Sequence, residues 1–409
     1  MHATNPAPPG PYRWVVLTVF LLVAGLSQAV WLNFAPLLTL VQQRYGVSED
    51  AAGLLILVFP ALYVLLSLPS GLLIDRRGYR ASLRLAAAGM AVCSLMRALD
   101  HGFVWLLAAQ TGLAVFQPFA VNAISKLVLD WFPADQRALA TGLGTMGLFL
   151  GMAVGIAATP AMVDAWGYEG SMLAWAGIAV GLCVACFALV RERGGPTDHA
   201  QSPPTGLRPL LRERPLLLLF GVAALGLGYF NGLTTWLEPI LARRGLDAVQ
   251  AGAAGGLLIV GGILGSIAIP ALSDRLRRRR PLVLASVFAA AVTLWPAVHS
   301  TDYATVLIAS ALQGFCFLPA FALLLEMCSE LAGEARAGAA TSVLMLAGNA
   351  GGVLVIVAMV LLKDGDSWDP AVLLLFALLA AAALATLRLP ETHPRRAAPR
   401  ARVTTGADS

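Results

Sequence analysis

Twelve stretches of about twenty mostly apolar residues run through this chain almost without pause, at approximately 14–40, 51–74, 81–99, 103–126, 138–161, 170–190, 215–242, 249–272, 281–299, 303–326, 337–361 and 370–388. A helix of about 20 residues crosses the hydrocarbon core of a bilayer, and only helices or closed barrels can do so with every backbone group satisfied. The pattern therefore predicts an all-α polytopic membrane protein with twelve transmembrane helices. The first run is too long for a cleaved leader, follows a single arginine and lacks a convincing cleavage site, so it is read as a retained span.

Composition narrows the alternatives. Of 409 residues, 58% are hydrophobic and 12% charged, with a mean hydropathy of +0.76, where soluble domains carry roughly 25% charge. The five cysteines, Cys93, Cys183, Cys186, Cys316 and Cys328, fall in or beside apolar runs without a CxxC pair or a His cluster, as small core residues do. With no metal-ligand cluster, nucleophile motif or phosphate loop, an enzyme is not expected, nor is a metal or other cofactor.

Lysine and arginine set the orientation. With the N-terminus on the cytoplasmic side, 23 fall in cytoplasmic loops and tails; the five on the far side are Arg44, Arg97, Arg243, Arg244 and Lys363. Both termini are thus expected in the cytoplasm of a cell whose Ala-, Leu- and Arg-rich coding points to a bacterial inner membrane. Topology and anionic lipid account for the net charge of +5, so nucleic acid is not needed as a partner.

The chain also repeats itself. Gly46 and Gly245, Asp75 and Asp274, and Arg137 and Arg336 are each 199 residues apart. One offset shared by unrelated landmarks predicts two six-span halves of like orientation, 1–190 and 215–390, around an axis along the membrane normal. A Gly- and charge-rich cytoplasmic linker, 191–214, joins them, and a tail follows at 391–409.

Between the second and third spans lies "GLLIDRRGYRASL". Gly71, Leu73, Asp75, Arg76, Gly78, Arg80 and Leu83 match the G-x-L-a-D-r-x-G-r-k-x-x-L signature, with Tyr79 departing from it, and "PALSDRLRRRR" carries a degenerate second copy with Asp274 and Arg275. The stretch resembles the major facilitator superfamily, and the resemblance covers essentially the whole chain. It implies two pseudo-symmetric six-helix bundles and a cytoplasmic gate. In that gate Asp75 would meet the start of span eleven near Arg336, and Asp274 would meet span five near Arg137.

A transporter needs polar or aromatic side chains deep in its spans. Span seven offers Tyr229 near its middle and Asn231, Thr234, Thr235 and Glu238 on one helical stripe, with Trp236 on a neighbouring face. Glu238 is the sole acidic residue well inside a span, either a proton- or cation-coupling group or a boundary carboxylate paired with Arg243 or Arg244. Span one offers Gln28, Trp31 and Asn33; span four, Gln117 and Asn122; span ten, Gln313. Trp31 lies far from either end, whereas Trp14, Trp105, Trp131, Trp166 and Trp368 sit where an interfacial belt would hold them. The segments around 13–37 and 115–144 are similar to the feline leukaemia virus subgroup C receptor branch. That similarity implies a choline, ethanolamine or haem carrier with Trp31 in an aromatic cage, although Asn231 stands where that branch has a tyrosine. Span five lacks the Gly-Pro core of drug/proton antiporters.

The expectation is thus a monomeric secondary transporter moving a small organic solute, such as choline, by rocking its halves about a central site, driven by protons or sodium ions or by neither. Proton-coupled export of lipophilic cations and a non-transporting membrane receptor remain the alternatives.

Overall fold

The computed structural model describes residues 10–133, 136–193, 210–333, 336–365 and 367–392. Its helices are α1 (Tyr12–Leu32), a 3-10 turn (Ala35–Leu37), α2 (Leu38–Tyr45), α3 (Glu49–Ala98), α4 (Phe103–Val121), α5 (Ala123–Trp131), α6 (Arg137–Leu189), α7 (Arg214–Ala242), α8 (Ala248–Leu276), α9 (Arg280–His299), α10 (Tyr303–Ala332), α11 (Ala337–Leu362) and α12 (Asp369–Thr386). Eleven stretches among the described residues are long and apolar enough to cross a membrane. One of them, Leu139–Leu189, is 51 residues long. Straight, it would reach about 75 Å, more than twice the hydrocarbon core. Gly167 breaks it with φ 71° and ψ 170°, so it is two crossings, and the described residues make twelve. α3 is divided in the same way at Gly78, φ 82°.

The repeat offset is written into the backbone. Gly46 and Gly245 both adopt positive φ where spans one and seven end, and Gly78 (φ 82°) has as its counterpart Arg277 (φ 54°), the sole non-glycine with positive φ among the described residues. Gly78, with ψ 164°, takes a positive-φ conformation that only glycine adopts freely, whereas Arg277, with ψ 40°, is left-handed helical at a cost that glycine would avoid. At the same corners Glu192 accepts the backbone N–H of Arg80 at 3.2 Å, and Glu391, 199 residues on, accepts those of Arg279 at 2.8 Å and Arg280 at 3.3 Å. Each carboxylate thereby satisfies orphan donors at the start of span three or nine.

Packing repeats as well. A Cβ placed on Gly151 would lie 2.0 Å from the carbonyl oxygen of Gly25, and one on Gly351 would lie 2.1 Å from that of Ala224, the counterpart of Gly25. Small residues let span one seat directly on span five, and span seven on span eleven, as they do where lipid supplies no hydrophobic drive between helices. Long aliphatic side chains such as Leu65, Leu68, Ile267 and Leu354 stand exposed on the outer surfaces or toward the parted ends described below.

Candidate solute pathway and gates

Two ends of the bundle must be distinguished. The basic face carries the start of α1 at Tyr12 and the corners at Gly78 and Arg277; the opposite face carries Arg44, Glu49, Arg244 and Lys363. The contacts that join the two halves gather at the opposite face. Lys363, at the end of α11, pairs with Glu49, at the start of α3, in an ion pair whose side chains are 14% and 9% exposed. Lys363 also lies 5.2 Å over the Trp368 ring. The Trp236 ring fills the space beside Gly53, and Gly252, Gly255 and Gly256 of α8 bring that helix against Ile156, Ala157 and Pro160 of α6. Near the centre of this plug the Glu238 carboxylate accepts the backbone N–H of Thr39 at 3.2 Å.

Toward the basic face the halves part. A side chain added at Gly71 or Gly142 would meet nothing within 4 Å, and Leu68 is 74% exposed. Gly71 therefore borders open space and makes no close helix contact. The gate residues on this face act inside their own halves. Arg137 donates to the carbonyls of Phe132 and Leu129, Arg336 donates to the carbonyl of Ala332 and pairs with Glu213 at 2.6 Å, and Arg76 and Arg275 are exposed. The side chains of Asp75 and Asp274 lie outside the described residues, as do those of residues 337–339.

Between these ends lie the side chains expected to meet a solute. Span one breaks after Leu32, turns through Ala35–Leu37 and restarts as α2. Beside the break Asn33 is fully buried, and neither its amide nitrogen nor its oxygen has a partner. In α7 Asn231, 2% exposed, is in the same condition, as is the hydroxyl of Thr235. Buried amides without partners are rare and costly. Asn231 lies against Gly352 of α11, the space beside that glycine being filled by its amide nitrogen.

Other expected site residues have found protein partners. Trp31 donates to the carbonyl of Ile56 at 3.2 Å and stacks on Phe59 with centroids 6.1 Å apart. Trp236 donates to the carbonyl of Ile356 at 3.2 Å and lies 4.9 Å from Trp368. Gln313 donates to the Tyr229 hydroxyl and accepts from Thr293 at 2.6 Å, while Tyr229 packs on Phe317. Asn122 accepts from Tyr63 at 2.9 Å and donates to Ser70 at 2.8 Å, tying span four to span two. Gln28 and Gln117 are buried, Gln28 facing Ser27 at 3.4 Å. Thus the structure gathers Glu238 and Trp236 at the plug, whereas Tyr229 with Gln313 and Asn122 with Ser70 form two separate interhelical links.

Two tryptophans placed in the belt by sequence are interior. Trp368 packs on Trp236, and Trp131 is 6% exposed with its indole N–H on Tyr79. Sequence reasoning also passed over Thr39, Glu49 and Lys363 as gate groups, and Arg97. That arginine is 3% exposed, donates to Gln110 at 3.1 Å and lies 4.8 Å over the Phe34 ring. The offset of 199 could have revealed the Glu192 and Glu391 corners. Nothing local marks Glu49 and Lys363, which lie 314 residues apart.

Twelve apolar crossings in two repeated halves, shut against each other at one end and parted at the other, define a multi-pass membrane transporter. The Major Facilitator Superfamily model matches residues 20–356 and 272–408, and the chain belongs to that family. It is 26% identical over 369 residues to solute carrier family 49 member A3 of Xenopus tropicalis, covering 84% of this chain and 76% of that one. It is 26% identical over 280 residues to the choline/ethanolamine transporter FLVCR1 of Felis catus, covering 62% of this chain and 50% of that one. Among solved structures, a bacterial homologue of the human lysosomal transporter Spinster in an inward-facing, unoccupied conformation superposes with a TM-score of 0.71. It is 16% identical, with 92% of this chain and 95% of that chain covered.

Proposed function

We propose that the protein carries a small organic solute across a bacterial inner membrane, its two halves rocking so that the central space opens to one side at a time. Both termini and the basic face are then cytoplasmic, and the plug at Glu49, Glu238 and Lys363 shuts the outside. The observation that carries this reading is the pairing of a sealed end with a parted one around two first spans, one and seven, that hold unpartnered buried amides. A tightly filled receptor or scaffold has no use for Asn33 and Asn231 in that state, since each unpaired amide costs stability; a carrier uses them when solute arrives. Trp31 and Tyr229 supply aromatic wall, and Gln28, Gln117 and Gln313 supply further donors and acceptors. An organic cation of the choline class suits aromatic faces and the Glu238 carboxylate, and the similar FLVCR1 of Felis catus is a choline/ethanolamine transporter. The protein is proposed to work as a monomer, with protons or sodium ions as the coupling species if transport is uphill.

The test is thermal stabilisation of the purified chain by a panel of amines, sugars and organic acids, followed by uptake into vesicles. Stabilisation by one chemical class, lost in Asn231→Leu, supports the reading. No stabilisation by any class, with unchanged accessibility at both faces, removes it.

A further inference from the structure

Glu238 holds a position that follows from the repeat itself. In a two-fold arrangement a residue touches its own counterpart only at the axis. Glu238 is the counterpart of Thr39, 199 residues earlier, and its carboxylate accepts the Thr39 backbone N–H at 3.2 Å. Ala35 and Thr234, also 199 apart, line the same small crevice together with Pro36, Leu237 and Ala251. Two counterpart pairs meeting there place the pseudo-two-fold axis through the crevice. A solute passing between two rocking halves travels along that axis, so Glu238 stands in its path.

The acceptor site is equally particular. Span one is interrupted after Leu32, and α2 starts afresh at Leu38; Thr39 therefore lies in a first turn, whose N–H groups have no partners within the helix. Glu238 belongs to the other half of the molecule and is 4% exposed. A carboxylate from one half fills the positive end of a helix from the other, a favourable pairing that survives only while the halves are shut here.

We propose that the Glu238 carboxylate, seated on the first turn of α2, is the on-axis bolt that closes the pathway at the opposite face, and that its release accompanies each opening of that face. The assignment deepens the transport reading by giving Glu238 a gating role distinct from solute contact. It can be read without any solute, so its failure is distinguishable from failure of that reading.

The experiment uses the full chain with its five cysteines replaced and a reporter cysteine at Ala35, reconstituted in vesicles with the opposite face outward. The rate of modification by a membrane-impermeant methanethiosulfonate is measured. Glu238→Ala removes the acceptor; Thr39→Pro removes the donor at a first-turn position where proline is tolerated. Each should raise the labelling rate about tenfold, as expected for loss of a hydrogen bond to a charged group. Thr39→Ser, which keeps the N–H, should label as the parent does. Unchanged labelling in either Glu238→Ala or Thr39→Pro, with monodisperse elution retained, overturns the bolt. Should Glu238→Ala not fold, Glu238→Leu, which likewise lacks an acceptor, replaces it with the same expected direction and the same overturning result.

Discussion

Asn231 shows how a residue's energetics and its use can be at odds. Its amide is buried without a partner, so Asn231→Leu, which keeps the branched shape and the number of heavy atoms, should leave the thermal midpoint unchanged or raise it, because removing an unpaired buried polar group relieves a cost of about 1–3 kcal/mol. Solute-dependent stabilisation should be lost in the same variant, and a fall in both stability and binding would instead mark a purely structural amide. Glu192 supplies a pH signature at the corner of the first half. Burial pushes its carboxyl above the ordinary carboxylate value against the opposing pull of the Arg80 N–H. A raised pKa in the folded state means a contribution that is full below the unfolded value and fades as pH rises through the folded one. The stability of the parent relative to Glu192→Gln should therefore decline as pH rises across that window, and a flat difference would contradict it. Sequence made the polar residues of spans one and seven visible because so few interrupt the apolar runs. It could not tell which would be satisfied: Gln313 and Asn122 find partners on other helices, and Asn33 does not.

Among the elements, the crossings themselves were legible, since each needs about 20 apolar residues and turns are polar. The break in span one was not, because Asn33 and Pro36 sit within an otherwise continuous run. The two halves share their order of crossings but not every detail of backbone, since span one breaks after Leu32 where span seven runs unbroken from Arg214 to Ala242, and they differ again at the plug. Spans two and eleven meet there through the Glu49–Lys363 ion pair, whereas spans five and eight meet through glycines. Breaking one partner of a buried pair leaves the other charge uncompensated, at about 3–5 kcal/mol. Glu49→Gln should therefore raise accessibility at the opposite face, and the exchange Glu49→Lys with Lys363→Glu should restore the parent's level in the same cysteine-labelling assay. Failure of the exchange to restore it would reduce the pair to ordinary packing. At the corner of the second half, Arg277→Gly should raise the thermal midpoint by an amount corresponding to about 1 kcal/mol, by relieving a left-handed backbone at φ 54°; a lowered midpoint would mean that the Arg277 side chain holds the corner.

Across the whole molecule, a shared offset, the matching Glu192 and Glu391 contacts at the corners and shared interhelical packing describe two like halves joined at one end. Shut at the opposite face and parted at the basic face, the structure has the form of one end state of the rocking carrier proposed above, and the other would follow if spans two and eleven closed at the exposed Leu68 and Leu346 while Asp50 and Asp364 separated. The inter-half distances at these two ends, read by electron–electron resonance from spin labels at 68 with 346 and at 50 with 364, test this most directly. In Glu49→Gln, compared with the parent, the account predicts that the basic-face pair gains a shorter distance while the opposite-face pair gains a longer one. Identical distance distributions at both ends in parent and variant, with the solute panel present or absent, would contradict it.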